Sequence, residues 1–172
     1  MRMNIQPTNE ELVMRDGEFI VSKTDLKGQI TYGNRTFMEF AGHPEKDLLG
    51  APHNIIRHPD MPRGVFQLLW DTIRSNAEIF AYVKNMSANG AFYWAFANVS
   101  PVVDGNNNVI GYCSVRRKPS SSAIQTLIPV YREMVRIEQK SKSKESVIES
   151  VEYLKNFLNE RTMSYEEFIL SI

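Results

Sequence analysis

Three runs rich in β-branched and aromatic residues follow one another: Glu78 to Met86, Phe92 to Val103 and Val109 to Arg117. The breaks between them, Ser87-Ala88-Asn89-Gly90 and Asp104-Gly105-Asn106-Asn107-Asn108, are made of the small and amide residues that tight turns use. Connections this short join antiparallel neighbours, so the stretch reads as a three-strand meander.

Two further strands precede it. Gly17 to Lys23 and Gln29 to Gly33 flank the turn Asp25-Leu26-Lys27-Gly28 and form a hairpin. Asn34 is placed to cap a helix whose apolar face is Phe37, Phe40 and Ala41, and Pro44 opens a short helix that ends at Gly50. Val65, Phe66, Leu68, Leu69, Trp70 and Ile73 give an amphipathic helix. Two strands, several small helices and a meander make an α+β domain: one five-stranded antiparallel sheet with its helices on one face.

Beyond Pro119 the period turns helical. Ile124, Leu127, Ile128, Tyr131, Met134 and Val135 share one face, and Val147, Val151, Leu154 and Leu158 do so after a polar break from Gln139 to Glu145. Ser164-Tyr165-Glu166-Glu167 is a capping box opening a last helix. These helices either dock to a partner or pack on their own sheet. The expected organisation is a cap segment at 1–16, a sensor domain at 17–119 and a helical signalling or docking extension at 120–172.

Twenty basic residues balance twenty acidic ones, so net charge recruits neither nucleic acid nor an anionic membrane. The run Arg116-Arg117-Lys118 reads as a solvated strand end. A single cysteine, Cys113, rules out an internal disulfide and reads as a small buried hydrophobe in a strand. No run reaches the roughly 20 apolar residues that span a bilayer, and the N-terminus lacks an apolar signal core. A cytoplasmic protein that reaches a membrane only through a partner is expected.

The chemistry concentrates in Ala51 to Arg63, APHNIIRHPDMPR, where two of the three histidines, His53 and His58, sit among three prolines beside Arg57 and Asp60. A metal site has no recognisable ligand spacing here, and no nucleophile elbow, phosphate-binding glycine loop or carboxylate pair frames a catalytic one. A third reading is a cofactor loop. Prolines at 52, 59 and 62 restrict the backbone and lower its ordering cost, which lets Arg57 offer a rigid donor fork to a ligand. The bland alternative is that Arg57 and Asp60 pair to pin the loop.

The string GAPHNIIRHPDMPRGVFQLLWDTI, followed by VKNMSANGAFYWAFANVSPVVDGNNNVIGYCSVRRKP, resembles the sensory PAS domain of bacterial aerotaxis (energy-taxis) receptors, and among them the stand-alone CetB type. The resemblance covers Val21 to Pro119. It implies a PAS fold, non-covalently bound FAD between the sheet and the small helices, and cofactor-binding positions at Asn34, His53, Arg57, His58, Asp60, Trp70 and Asn85. It also implies a redox sensor, not an enzyme, that hands its signal to a membrane-anchored methyl-accepting chemotaxis receptor lacking its own sensor; a homodimer is a further arrangement. Ile79 stands where the family commonly has Trp, with Phe80 beside it directed to the opposite face. The segment after Gly50 offers no cysteine for a light-driven flavin adduct. Two other readings stay open: a haem gas sensor with His53 or His58 as axial ligand, and a cofactor-free PAS interaction module.

Overall fold

In the computed structural model, which describes residues 5–141 and 143–172, the sheet is built from β1 (Ile20–Thr24), β2 (Ile30–Gly33), β3 (Ile79–Met86), β4 (Phe92–Val103) and β5 (Val109–Arg117) in the order β2-β1-β5-β4-β3. All pairings are antiparallel. The start of the N-terminal segment (1–4) and Lys142 in the polar break lie outside the described residues. The five-stranded α+β expectation holds. β1 is shorter than read, because Gly17 adopts a left-handed conformation at φ +80° in the turn ahead of it.

The first hairpin closes on Asp25, whose Oδ1 accepts from the amides of Lys27 and Gln29 at 2.8 and 2.9 Å. The β4–β5 turn repeats the device, with Asp104 Oδ1 accepting from Asn106 and Asn108. Between β2 and β3 lie α1 (Arg35–Ala41), α2 (Glu45–Leu48), a 3-10 turn at His53–Ile56 and α3 (Arg63–Arg74). Prolines 52, 59 and 62 do not prevent that single 3-10 turn, since Pro52 sits at its N-cap, where no amide donor is needed.

Strand alternation divides the sheet cleanly. Ser22, Val83, Asn85, Ala97, Val99, Tyr112, Ser114 and Arg116 face α3 and the 3-10 turn. Phe80, Tyr82, Trp94 and Phe96 form the opposite face, where Phe80 and Phe96 rings stack at 5.8 Å. The C-terminal helices α4 (Ser121–Lys140), α5 (Lys144–Asn159) and α6 (Tyr165–Ser171) pack on this same domain. On the outer face the Tyr131 hydroxyl donates to the Tyr82 carbonyl at 2.9 Å, and the Trp94 and Tyr131 rings stack. α4 then passes the β3 edge and reaches the start of α3 through Glu138. Of the two roles open for these helices, self-packing is therefore realised. Ser164 and Glu167 form the expected capping box at α6.

Candidate functional site

Between the inner face of the sheet and α3 lies a cavity of about 420 Å³, within the roughly 300–1,000 Å³ range of small-molecule sites. Its walls follow from local patterning. α3 presents Phe66, Leu69, Trp70 and Ile73 at helical spacing, and β3, β4 and β5 contribute alternate residues from Val83 to Arg116. Trp70 closes one end, edge-on to Tyr112 at 5.6 Å and against the β1–β2 turn. At that turn Gly28 has φ +80°, and a Cβ there would stand 3.0 Å from the indole.

Arg116 dominates the electrostatics. It is 2 % exposed, which corrects its reading as a solvated strand end. It lies on the Tyr112-Ser114-Arg116 row that alternation turns inward, whereas Arg117 faces the other side, its guanidinium 5.0 Å over the Phe96 ring. Its guanidinium sits 4.9 Å over the Phe37 ring, and Nη2 donates to Ser22 Oγ at 2.6 Å. Among the described residues Nε and Nη1 are buried with no hydrogen-bond partner, as is Nδ2 of Asn85 on the same face of the sheet. No carboxylate pairs with Arg116 among the described residues. Tyr93 is beside it, but burial pushes that phenol up to about 12, so it stays neutral. Burial correspondingly lowers the Arg116 pKa from its usual value. A buried, uncompensated cation costs several kcal/mol as an order of magnitude, so the cavity suits a ligand rich in hydrogen-bond acceptors.

His53 belongs to the same network. Its ring stacks on Phe37 at 5.8 Å, and Nε2 lies 2.8 Å from Ser22 Oγ. Ser22 Oγ thus links the Arg116 guanidinium to the His53 imidazole, and the direction of the Ser22–His53 bond follows the imidazole tautomer. Burial, reinforced by the Arg116 charge, lowers the His53 pKa to about 3.

The other expected positions divide into two groups. Arg57 and Trp70 join His53 and Asn85 in the cavity lining. Arg57 donates to the Met61 carbonyl at 3.0 Å and stacks over the Phe66 ring at 4.5 Å. His58 turns away into a second cleft of about 370 Å³, bordered by Arg57, Met61, Arg63 and Glu138. Its Nδ1 accepts from the Asp60 amide at 3.1 Å, and burial with nearby Lys84 lowers its pKa to about 4. Asp60 pairs with Lys84 at 2.7 Å rather than with Arg57. These two residues shape the loop and do not line the main cavity. Asn34 also lies outside it: Oδ1 accepts from Phe37 and Val21 amides, and Nδ2 donates to the Phe19 carbonyl. Cys113 is half-buried rather than buried, and its strand position directs it to the face opposite the cavity. Ile79 is buried beneath the cavity with Leu69, Ile73, Val99 and Tyr112. Among the described residues no three His, Cys, Asp or Glu side chains gather as a metal site.

Residues 30–116 match the family described as PAS fold. The chain belongs to the PAS-fold family. The chain is similar to the aerotaxis receptor of Escherichia coli K12, with 35% identity over 125 residues that make up 73% of this chain and 24% of the receptor. The nitrogen fixation regulatory protein of Klebsiella pneumoniae is 24% identical over 102 residues, 59% of this chain and 21% of that protein. The chain thus spans about a quarter or less of the curated relatives it matches. Among solved structures, a light-oxygen-voltage domain described with a flavin analogue superposes with TM-score 0.56 at 18% identity, covering 64% of this chain and 83% of that one. The dark structure of the blue-light photoreceptor Aureochrome1 LOV gives TM-score 0.55 at 22% identity, covering 64% and 81%. At these identities the likeness is one of PAS fold.

Proposed function

We propose that the chain is a redox sensor of the energy-taxis kind, whose cavity holds FAD and whose C-terminal helices pass the cofactor's state to a membrane-anchored methyl-accepting chemotaxis receptor lacking a sensor of its own. The observation that carries the reading is the set of buried, unpaired donors on Arg116 and Asn85 inside a cavity of about 420 Å³. An isoalloxazine edge is rich in acceptors, which fits that donor set; the similarity to an aerotaxis receptor and the flavin named with a light-oxygen-voltage neighbour point the same way.

In this reading Arg116 and Asn85 hold the polar edge of the ring, Trp70, Leu69 and Tyr112 supply apolar walls, and Arg57 serves the phosphates. A bound flavin supplies reversible electron transfer with proton uptake at the ring edge. Asn85 can answer such a change because its amide offers either donor or acceptor. Arg116 adds two charged donors, each worth about 1.5–3 kcal/mol when paired. Only the part of that energy that differs between the two redox states biases a two-state element, for which ~5.5 kcal/mol takes the balance from 1:99 to 99:1. The engagement of His53 Nε2 with Ser22 favours this reading over a haem ligand at that ring. No helix among the described residues is long and apolar enough to cross a membrane; in this reading the receptor is a separate polypeptide.

The test is isolation of the full chain from cells supplied with riboflavin. The reading expects flavin absorption bands bleached by dithionite, with FAD released on denaturation. A colourless protein that also fails to bind added FAD contradicts it.

A further inference from the structure

We propose that Glu138 is the positioning residue through which α4 and α5 hold the wall of the cavity, so that cofactor binding and the packing of the C-terminal helices are linked. The inference rests on the flavin reading of that cavity.

α3 begins without a cap of its own. Pro62 occupies its N-cap, makes no side-chain bond there, and no acidic residue stands in the first turn. The role falls to a carboxylate from another helix. Glu138 Oε2 accepts from the Arg63 amide at 2.7 Å and Oε1 from the Gly64 amide at 2.8 Å, 74 or more positions away in sequence. Both amides are among the donors that a helix start leaves without an internal partner, and the negative charge also suits the helix dipole. Ser150 Oγ of α5 donates to Oε1 at 2.7 Å, so one carboxylate ties three helices. Glu138 is 8 % exposed, so water does not compete freely for these bonds.

A second observation shows how closely the helices meet. A Cβ at Gly64 would collide with Ser150 Oγ and stand 3.1 Å from the Met134 methyl and 3.2 Å from Val151. Glycine at 64 is what allows α3 to approach α4 and α5 at the depth the carboxylate requires. From there α3 carries Phe66, Leu69 and Trp70 into the cavity. The start of α3 is also joined to Arg57, which stacks on Phe66 and donates to Met61 immediately before Pro62. A displacement of Arg57 or Phe66 by ligand therefore changes the position of the amides that Glu138 caps. By linkage, whatever α4 and α5 do to ligand affinity, ligand does to their packing by the same factor.

The experiment compares the full chain with Glu138→Gln, measuring FAD affinity and hydrogen exchange of α4 and α5 amides with and without saturating FAD. Expected for the wild type is slower exchange in both helices on FAD binding. For Glu138→Gln the expectation is FAD affinity weakened by about 5- to 150-fold, the usual span of such couplings, and exchange in α4 and α5 that no longer responds to FAD. Wild-type chain that binds FAD with unchanged exchange in α4 and α5 overturns the linkage and leaves the flavin reading standing. A variant that is less stable yet still shows the full FAD response reduces Glu138 to a structural cap and also overturns it. Failure of the wild type to bind FAD at all removes the flavin reading itself. Ser150→Ala, which keeps the charge and removes one bond, is expected to give an intermediate response.

Discussion

Arg116 donates to Ser22 across 2.6 Å and has no carboxylate partner among the described residues. The fold therefore keeps a cation in its interior and offers it one hydroxyl and the face of Phe37. A purely structural position would be expected to hold an aliphatic residue of similar length. Replacing it separates the needs of folding from those of ligand binding.

Arg116→Met is expected to leave the ligand-free chain equally stable or more stable by about 1–4 kcal/mol, the range seen when buried charges give way to apolar residues. The same change is expected to weaken FAD binding by about a hundredfold, the equivalent of losing charge-assisted bonds worth roughly 3 kcal/mol. Thermal melts of both forms with and without FAD read the two effects. A variant that loses ligand-free stability and keeps its affinity contradicts the role assigned to Arg116.

Asn34 gives the opposite expectation. Its amide caps α1 and bridges to Val21 and Phe19, outside the cavity lining. Asn34→Ala is expected to lose about 1 kcal/mol for the cap alone, with a further loss from the bridges. FAD affinity at temperatures well below the melt is expected to stay within about twofold, less than 0.5 kcal/mol. A large affinity loss without destabilisation would place Asn34 in direct contact with cofactor.

Arg57 and Asp60 are neighbours in sequence with different stakes. Asp60 pairs with Lys84 from a side chain that is 67% exposed, so solvent screens the pair. Asp60→Asn is expected to cost under about 1 kcal/mol of stability and to change FAD affinity little. Arg57→Ala removes a cavity-lining cation stacked on Phe66 and is expected to weaken affinity by about tenfold or more, 1.4 kcal/mol or above. Equal losses in titrations of the two variants would contradict this division.

Both buried imidazoles tie stability to pH. Burial lowers His53 from 6.5 to about 3 and His58 from 6.5 to about 4. The unfolded chain therefore binds more protons than the folded one between those values, and stability rises with pH across that window. The contribution is complete above about pH 6.5 and is lost as pH falls toward about 4 and then about 3. Melting temperatures followed from neutral pH into this window are expected to fall, and His53→Gln to flatten the slope. A slope unchanged by that substitution would show that His53 is not held neutral.

Much of this fold is legible in the chain because local chemistry and tertiary role coincide. The turn residues that separate β3, β4 and β5, the Asn34 cap and the Ser164–Glu167 capping box act within a few positions of themselves. His53, Arg57, Trp70 and Asn85, which the family resemblance singles out, line one cavity. Arg116 was hidden by its setting: next to Arg117 and Lys118 it reads as part of a charge run. The alternation through Tyr112 and Ser114 carried the signal that it turns inward. Glu138 carried no such signal. A carboxylate on one amphipathic helix that caps another 74 positions earlier is a purely tertiary fact. His58 and Asp60 were separable from the cavity only once the loop's path was known, since a 3-10 turn followed by prolines sends their side chains to the second cleft and to Lys84.

The most direct measurement is side-chain nuclear magnetic resonance on full-length chain with isotope-labelled nitrogens at Arg116 and Asn85, recorded before and after FAD is added. The account predicts that Arg116 Nε and Nη1 and Asn85 Nδ2 all shift on binding, as unpaired donors gain acceptors. Bound FAD with all three resonances unmoved would contradict it.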